Sequence, residues 1–185
     1  MTAKLNTFFY KDGTNSNHED EAKTLHREGG PARITYYENG SIESERYFCD
    51  GKLHRTDGPA IIQRYESGSI AYERYCINGM CHRQDGPAYI DYYEDGTIKG
   101  ELYHISHKLH RLDGPAIIGR DHDGSIGYEK YHVEGEELSK EEFLPKRHKI
   151  APFSETQLIS MSSSDCEKER GFAKRLLTVN ARKTS

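Results

Sequence analysis

Leu53-His-Arg-Thr-Asp-Gly-Pro-Ala60 decides the fold, because the chain writes it four times. It stands first as Leu25-His-Arg-Glu-Gly-Gly-Pro-Ala32, and later as Cys81-His-Arg-Gln-Asp-Gly-Pro-Ala88 and Leu109-His-Arg-Leu-Asp-Gly-Pro-Ala116. The starts fall 28 residues apart with no insertion. A strict internal period of this length marks an array of small units, each contacting chiefly its neighbours.

Each copy leads into a strand, Ala32-Arg-Ile-Thr-Tyr-Tyr37 and its counterparts from Ala60, Ala88 and Ala116. Asn39-Gly40, Ser67-Gly68, Asp95-Gly96 and Asp123-Gly124 follow. Such dipeptides accept the positive φ angles of a tight hairpin turn. A second strand opens at Ile42, Ile70, Ile98 and Ile126. It carries Glu45, Glu73, Glu101 and Glu129, with Tyr47, Tyr75, Tyr103 and Tyr131 two residues on. Two-residue spacing puts each Glu and Tyr on one side of the strand. Asp50-Gly51, Asn78-Gly79 and Glu134-Gly135 make a second turn, whereas the third copy has Ser106-His107, which predicts a looser corner. Pro, lacking a ladder donor, suits the first position of the next strand.

These signals predict an all-β protein, a single-layer antiparallel sheet of tandem 28-residue hairpins with short C-terminal helices. At about 4.8 Å per strand, four repeats of two strands span roughly 40 Å. Residues 1–24 read as a degenerate half-repeat, since Tyr10-Lys-Asp-Gly13-Thr14 echoes the hairpin turn, and 25–136 hold the four repeats. Residues 137–145 predict a capping helix, opened by the capping box of Ser139 and Glu142 and ended by Pro145. A helix there covers the last strand edge. A polar linker, 146–163, precedes a basic amphipathic tail, 164–185. The tail predicts a second helix from the Ser164–Glu167 box to about Asn180, with Phe172, Leu176 and Val179 on one face.

Composition agrees with a thin, regular structure. Hydrophobic residues make up 34%, low for a thick core, while 13 Tyr recur at fixed places, unlike a disordered chain. The repeat body is acidic, with 13 Lys and Arg against 19 Asp and Glu over 25–136. Residues 145–185 are basic, with 9 against 4. The N-terminus has no apolar stretch of signal-peptide length, and no segment approaches a membrane span, so the expectation is a soluble, cytoplasmic protein. Cys49, Cys76, Cys81 and Cys166 do not recur at the period and read as reduced thiols rather than a disulfide framework.

The element Tyr36-Tyr-Glu-Asn-Gly40, matched by Tyr92-Tyr-Glu-Asp-Gly96, alternates with a Gly-Lys turn. It resembles the MORN-type repeats, especially the variant of the YwqK-like antitoxin family. The His-Arg-x-Asp-Gly-Pro-Ala signature is similar to a subtype of bacteriophages and large DNA viruses. The resemblance covers about residues 25–136. It implies a sheet of stacked hairpins with a role in protein interaction and, if the chain is viral, a host protein as its target within the host cytoplasm.

The tempting catalytic constellation is His54, Arg55 and Asp57, repeated as His82, Arg83 and Asp85 and as His110, Arg111 and Asp113. Imidazole beside carboxylate suits acid–base work. Yet a catalytic centre needs one asymmetric set, and equal sets along a rod read as structural corners. An enzyme using one such set, on nucleotides or nucleic acid, is the alternative. No phosphate loop, nucleophile elbow or metalloprotease helix is present.

Cys76 and Cys81 flank a turn, with His82 beside them and His104 one repeat on, but they lack the second pair of a zinc knuckle. No metal, cofactor or catalytic residue is assigned. The expectation is a non-catalytic protein–protein interaction module. Tyr47, Tyr75, Tyr103 and Tyr131 are its candidate anchors, Tyr being large and amphipathic. Lys174 and Arg175 are candidate contacts in the tail, where nucleic acid is the alternative partner, and a sponge-like nucleotide binder is a further alternative.

Overall fold

The turn between the two long strands of each repeat closes through the same atoms every time. Tyr37 N donates to Ser41 O (2.9 Å) and Gly40 N to Tyr37 O (3.0 Å), and Tyr65, Tyr93 and Asp121 open the corresponding turns. Only the glycine takes a positive φ (85° at Gly40), and the ladder slips by one residue between Thr35 and Tyr36. This is a type I turn followed by a left-handed glycine and a bulge, not the mirror-image turn that Asn-Gly suggests. The residue before glycine therefore needs no positive φ, which is why Ser67 serves as well as Asn39. Where that residue is Asn or Asp its side chain braces the loop: Asn39 Oδ1 accepts from Ser41 N (2.8 Å) and Asp95 Oδ1 from Thr97 N (2.9 Å).

The structure is a computed structural model that describes residues 6–146. An N-terminal hairpin, β1 (Thr7–Phe9) and β2 (Asn15–Ser16), precedes the repeats. The first repeat holds β3 (Arg33–Tyr36), β4 (Ile42–Arg46), β5 (Phe48–Cys49) and β6 (Lys52–Leu53). The second holds β7 (Ile61–Arg64), β8 (Ile70–Arg74), β9 (Cys76–Ile77) and β10 (Met80–Cys81). The third holds β11 (Tyr89–Tyr92), β12 (Ile98–Leu102), β13 (His104–Ile105) and β14 (Lys108–Leu109). The last holds β15 (Ile117–Arg120), β16 (Ile126–Val133) and β17 (Glu136–Leu138), and α1 (Lys140–Lys146) follows.

The long strands form one open antiparallel sheet of 11 strands that runs in chain order apart from β1 and β2, with β17 at one side and β2 at the other. The first three repeats have four strands each rather than two, and the last has three because β16 runs on without a break. At Tyr47, Tyr75 and Tyr103 the chain leaves the sheet, and the next residues pair as separate two-stranded ribbons, β5–β6, β9–β10 and β13–β14. Ribbon turns are the mirror-image type, with positive φ at both central residues, 49° at Asp50 and 74° at Gly51. Ser106-His107 takes the same conformation (48° and 69°), so the expected looser corner is absent. His107 Nδ1 accepts from Cys81 N (3.3 Å), a bond that glycine lacks and that offsets the left-handed backbone.

The core is a narrow strip at the ribbon end of the hairpins. Ala32, Ala60, Ala88 and Ala116 are all 0% exposed, and Ala60, Cys76 and Cys81 form a cluster with Leu53 against it. At the N-terminal end Phe9 N bonds Ala32 O (2.8 Å), as Tyr47 N bonds Ala60 O (2.8 Å). Tyr10 bridges Leu25, so the first segment supplies the second half of a repeat, with residues 12–23 replacing a two-residue turn. At the other end the capping box forms: Ser139 N donates to Glu142 Oε2 (2.9 Å) and Glu142 N to Ser139 Oγ (3.3 Å). Helix α1 runs one residue past Pro145. The tail helix from Ser164 and the linker beyond Lys146 lie outside the described residues.

Candidate functional site: the corner motif and the terminal sheet edge

The histidine and the arginine of each corner motif engage their own repeat or the next. His26, His54, His82 and His110 each accept, through Nδ1, a backbone N–H 24 residues downstream. The donors are Asp50, Asn78, Ser106 and Glu134, at 3.1, 3.1, 3.3 and 3.1 Å. All four donors carry the positive φ of a ribbon turn, so each histidine latches the turn of the next ribbon. The accepting nitrogen must be unprotonated, and burial favours that state. It pushes the His82 ring down to about 4 and the His110 ring in the same direction. A lone pair committed to a backbone N–H is not available as a general base.

The arginines lie flat on aromatic rings. Arg55, Arg83 and Arg111 sit 4.1, 4.0 and 3.9 Å from the centroids of Tyr47, Tyr75 and Tyr103, and Arg27 sits 3.8 Å from Phe9. Such contacts stabilise by about 0.5–2 kcal/mol each. Arg55 Nη1 donates to Pro59 O (3.3 Å), a bond that Arg27, Arg83 and Arg111 repeat with Pro31, Pro87 and Pro115. Asp57 and Asp113 brace Arg55 and Arg111 through Nε at 3.0 and 2.7 Å. The glycine of the motif makes room: a Cβ on Gly58 would lie 2.9 Å from Arg55 Cζ. His, Arg, Asp, Gly, Pro and Ala thus each have a structural part. The glutamate column pairs not with these arginines but with the first strand of the next repeat. Glu45 meets Arg64 (3.2 Å), Glu101 meets Arg120 (2.9 Å), and Glu73 accepts from Tyr92 Oη (3.0 Å).

The candidate tyrosines are therefore not a bare stripe. Tyr47, Tyr75 and Tyr103 are half-buried under their arginines, and burial raises the pKa of each hydroxyl. Tyr131 packs on Phe143 of α1 (centroids 4.8 Å) and donates to Glu129 (2.8 Å). Lys174 and Arg175 lie outside the described residues.

A second tyrosine column, unnoticed in the sequence, latches the opposite end of the hairpins. Tyr37, Tyr65 and Tyr93 donate to the backbone oxygens of Arg64, Tyr92 and Arg120 at 2.6, 2.8 and 3.0 Å. The fourth copy has Asp121 in this place.

Large apolar side chains come to the surface at the last hairpin. Ile126 is 53% exposed and Tyr128 60%. The Tyr128 ring lies across Gly119, where a Cβ would meet it. Strand β17 pairs only with Tyr131, His132 and Val133 of β16, and among the described residues none pairs with the outer side of Ile126–Lys130. In the earlier repeats the same side is filled, with Glu45 opposite Ile62, Glu73 opposite Ile90 and Glu101 opposite Ile118.

His26, Cys49 and Asp50 bring ligand-type atoms within 4.8 Å of one another. His26 Nδ1 already holds the Asp50 N–H, and the Lys11 ammonium lies 2.9 Å from the Asp50 carboxylate, so the donors serve the turn. No helix among the described residues is long and apolar enough to cross a membrane. Comparison with known protein families, curated proteins and solved structures finds no match.

Proposed function

We propose that this chain is a non-catalytic protein-interaction module of the MORN type, and that its partner adds an extended strand to the outer side of β16. The observation that carries the reading is the unpaired Ile126–Lys130 edge beside the exposed side chains of Ile126 and Tyr128. Lys130 O accepts from Ala116 N (2.8 Å), so Lys130 and Tyr128 direct their backbone groups inward and Glu129 between them directs its own outward. Main-chain hydrogen bonds supply affinity in this mode, and alternate side chains supply specificity. The interior junctions describe the complementary chemistry: an apolar residue opposite Glu129, and two residues later an Arg or Tyr to meet its carboxylate, as Ile62 and Arg64 do for Glu45. Against an enzyme stands the commitment of every corner histidine to a backbone N–H. The resemblance of the corner motif to viral and phage repeats favours a host protein as the partner.

Glu129→Pro tests the reading, since it deletes one outward N–H while leaving the inward ladder intact. Capture of a protein from host lysate should fall at least about tenfold relative to Glu129→Ala, with an unchanged circular-dichroism spectrum. Equal capture by both variants, or recovery of nuclease-sensitive material alone, would overturn it.

A further inference from the structure

We infer that Cys76 and Cys81 are a built dithiol site, which hydrogen peroxide closes into a reversible disulfide across the β9–β10 ribbon. The two residues face each other directly, with Cys81 opposite Cys76 and Met80 opposite Ile77. His82 N donates to Tyr75 O (3.1 Å), so the pair next to it, Cys76 and Cys81, is of the non-hydrogen-bonded kind. In such pairs the Cα atoms stand about 4.5 Å apart, at the short end of the range a disulfide spans. The bond therefore needs no backbone rearrangement, and its tight geometry keeps it easy to reduce.

The pattern of replacement singles out the same two residues. At this pair of positions the other ribbons hold Phe48 with Leu53 and His104 with Leu109. Both members are cysteine together, in one repeat, at 1% and 3% exposure. The surroundings also favour a thiolate. Arg74 Nε donates to Cys81 Sγ (3.1 Å), a contact that Leu102, its counterpart in the next repeat, has no group to make. The Cys76 thiol hydrogen-bonds the Cys81 sulfur, and with the Arg74 charge this pulls the Cys81 pKa down to about 5, while Cys76 is pushed up.

Cys81 is thus the attacking sulfur and Cys76 the resolving one. The Cys81 thiolate attacks one peroxide oxygen, and the O–O bond breaks. Cys81 becomes a sulfenic acid and the departing hydroxide takes up a proton as water. The Cys76 sulfur then attacks Cys81, the S–O bond breaks, and the thiol proton leaves with the hydroxyl as a second water. Two thiols lose two electrons, and one peroxide becomes two waters. Entry needs only a brief opening of a four-residue ribbon. The site lies where repeats meet, because Cys76 O accepts from Arg55 N (3.1 Å) and Cys81 O from His107 N (2.8 Å).

The experiment treats the reduced full chain with hydrogen peroxide, alkylates it and digests it with trypsin. Residues 75–83 leave as one wild-type peptide holding both thiols, and the disulfide leaves it about 2 Da lighter than the unalkylated dithiol and closed to alkylation until a dithiol reductant restores it. Arg74→Leu, which borrows the residue of the next repeat, should slow closure about tenfold by raising the Cys81 pKa. Cys76→Ser should strand Cys81 as a sulfenic acid that a dimedone probe labels. A peptide that gains oxygen without passing through the lighter form would overturn the proposal. So would one that stays unmodified while Cys49 oxidises, or equal rates in wild type and a folded Arg74→Leu.

Discussion

Glu101 and Glu129 hold the same position in consecutive repeats, yet one is sealed between strands and the other stands at the open side of the sheet. Glu101 is 9% exposed and accepts two bonds from Arg120, at 3.1 and 2.9 Å. Glu129 has no strand opposite it among the described residues and settles for Tyr131 Oη (2.8 Å) and Lys140 Nζ (3.4 Å). The outer latch changes in step: Tyr93 holds the Arg120 carbonyl, and its counterpart is Asp121. The lesson is that a repeat is stable through its neighbour. The same residue types that lock an interior junction lack those partners where, among the described residues, the neighbour is missing.

Acid should loosen the interior before it affects the end. The His82 ring stays neutral down to about 4, whereas an unfolded chain takes up that proton near 6.5. Between these values the unfolded state binds more protons. The stabilisation is complete above about pH 6.5 and is lost as pH falls through 4, by about 3 kcal/mol in all. Urea midpoints at pH 7.0 and 4.5 should differ clearly less for His82→Gln than for wild type, and an unchanged difference would refute the latch.

Smaller effects follow from space. Gly58→Ala drives a Cβ into Arg55 and should cost about 1–3 kcal/mol in urea unfolding. Gly100→Ala, where the nearest atoms lie 3.7 Å away, should change stability by under about 0.5 kcal/mol. Comparable losses would mean that the Arg–Tyr stack does not depend on that glycine.

The smallest contrast concerns the outer latch. Tyr65→Phe removes a 2.8 Å bond to Tyr92 O and should cost about 1 kcal/mol. Asp121→Tyr restores the latch residue where none of the described strands follows, so its effect on unfolding should stay within about 0.5 kcal/mol. A larger gain would show that something pairs with β16 in the isolated chain.

The period, the places of both turns and the capping box were legible because they are local: a 28-residue spacing, a glycine at a left-handed position, a serine three residues before a glutamate. The candidate surface was less so. Tyr47, Tyr75 and Tyr103 read as exposed anchors, since nothing in the spacing tells which arginine will lie on which ring. That pairing depends on the chain leaving the sheet at Tyr47 and returning past Arg55. For the same reason the spacing does not tell which cation each glutamate meets, and it is Arg64 and Arg120 of the next repeat that reach Glu45 and Glu101.

By itself, then, the sequence determined that four equal hairpins follow one another in register, because period and turn chemistry act within one repeat. Tertiary structure alone decided what each repeated side chain does. A histidine becomes a latch only when the turn 24 residues later folds against it, and two cysteines become a pair only when a ribbon sets them face to face. An edge strand becomes a surface only where the pairing stops. Contacts across a repeat junction depend on the relative placement of two units, and no residue-by-residue period encodes that placement.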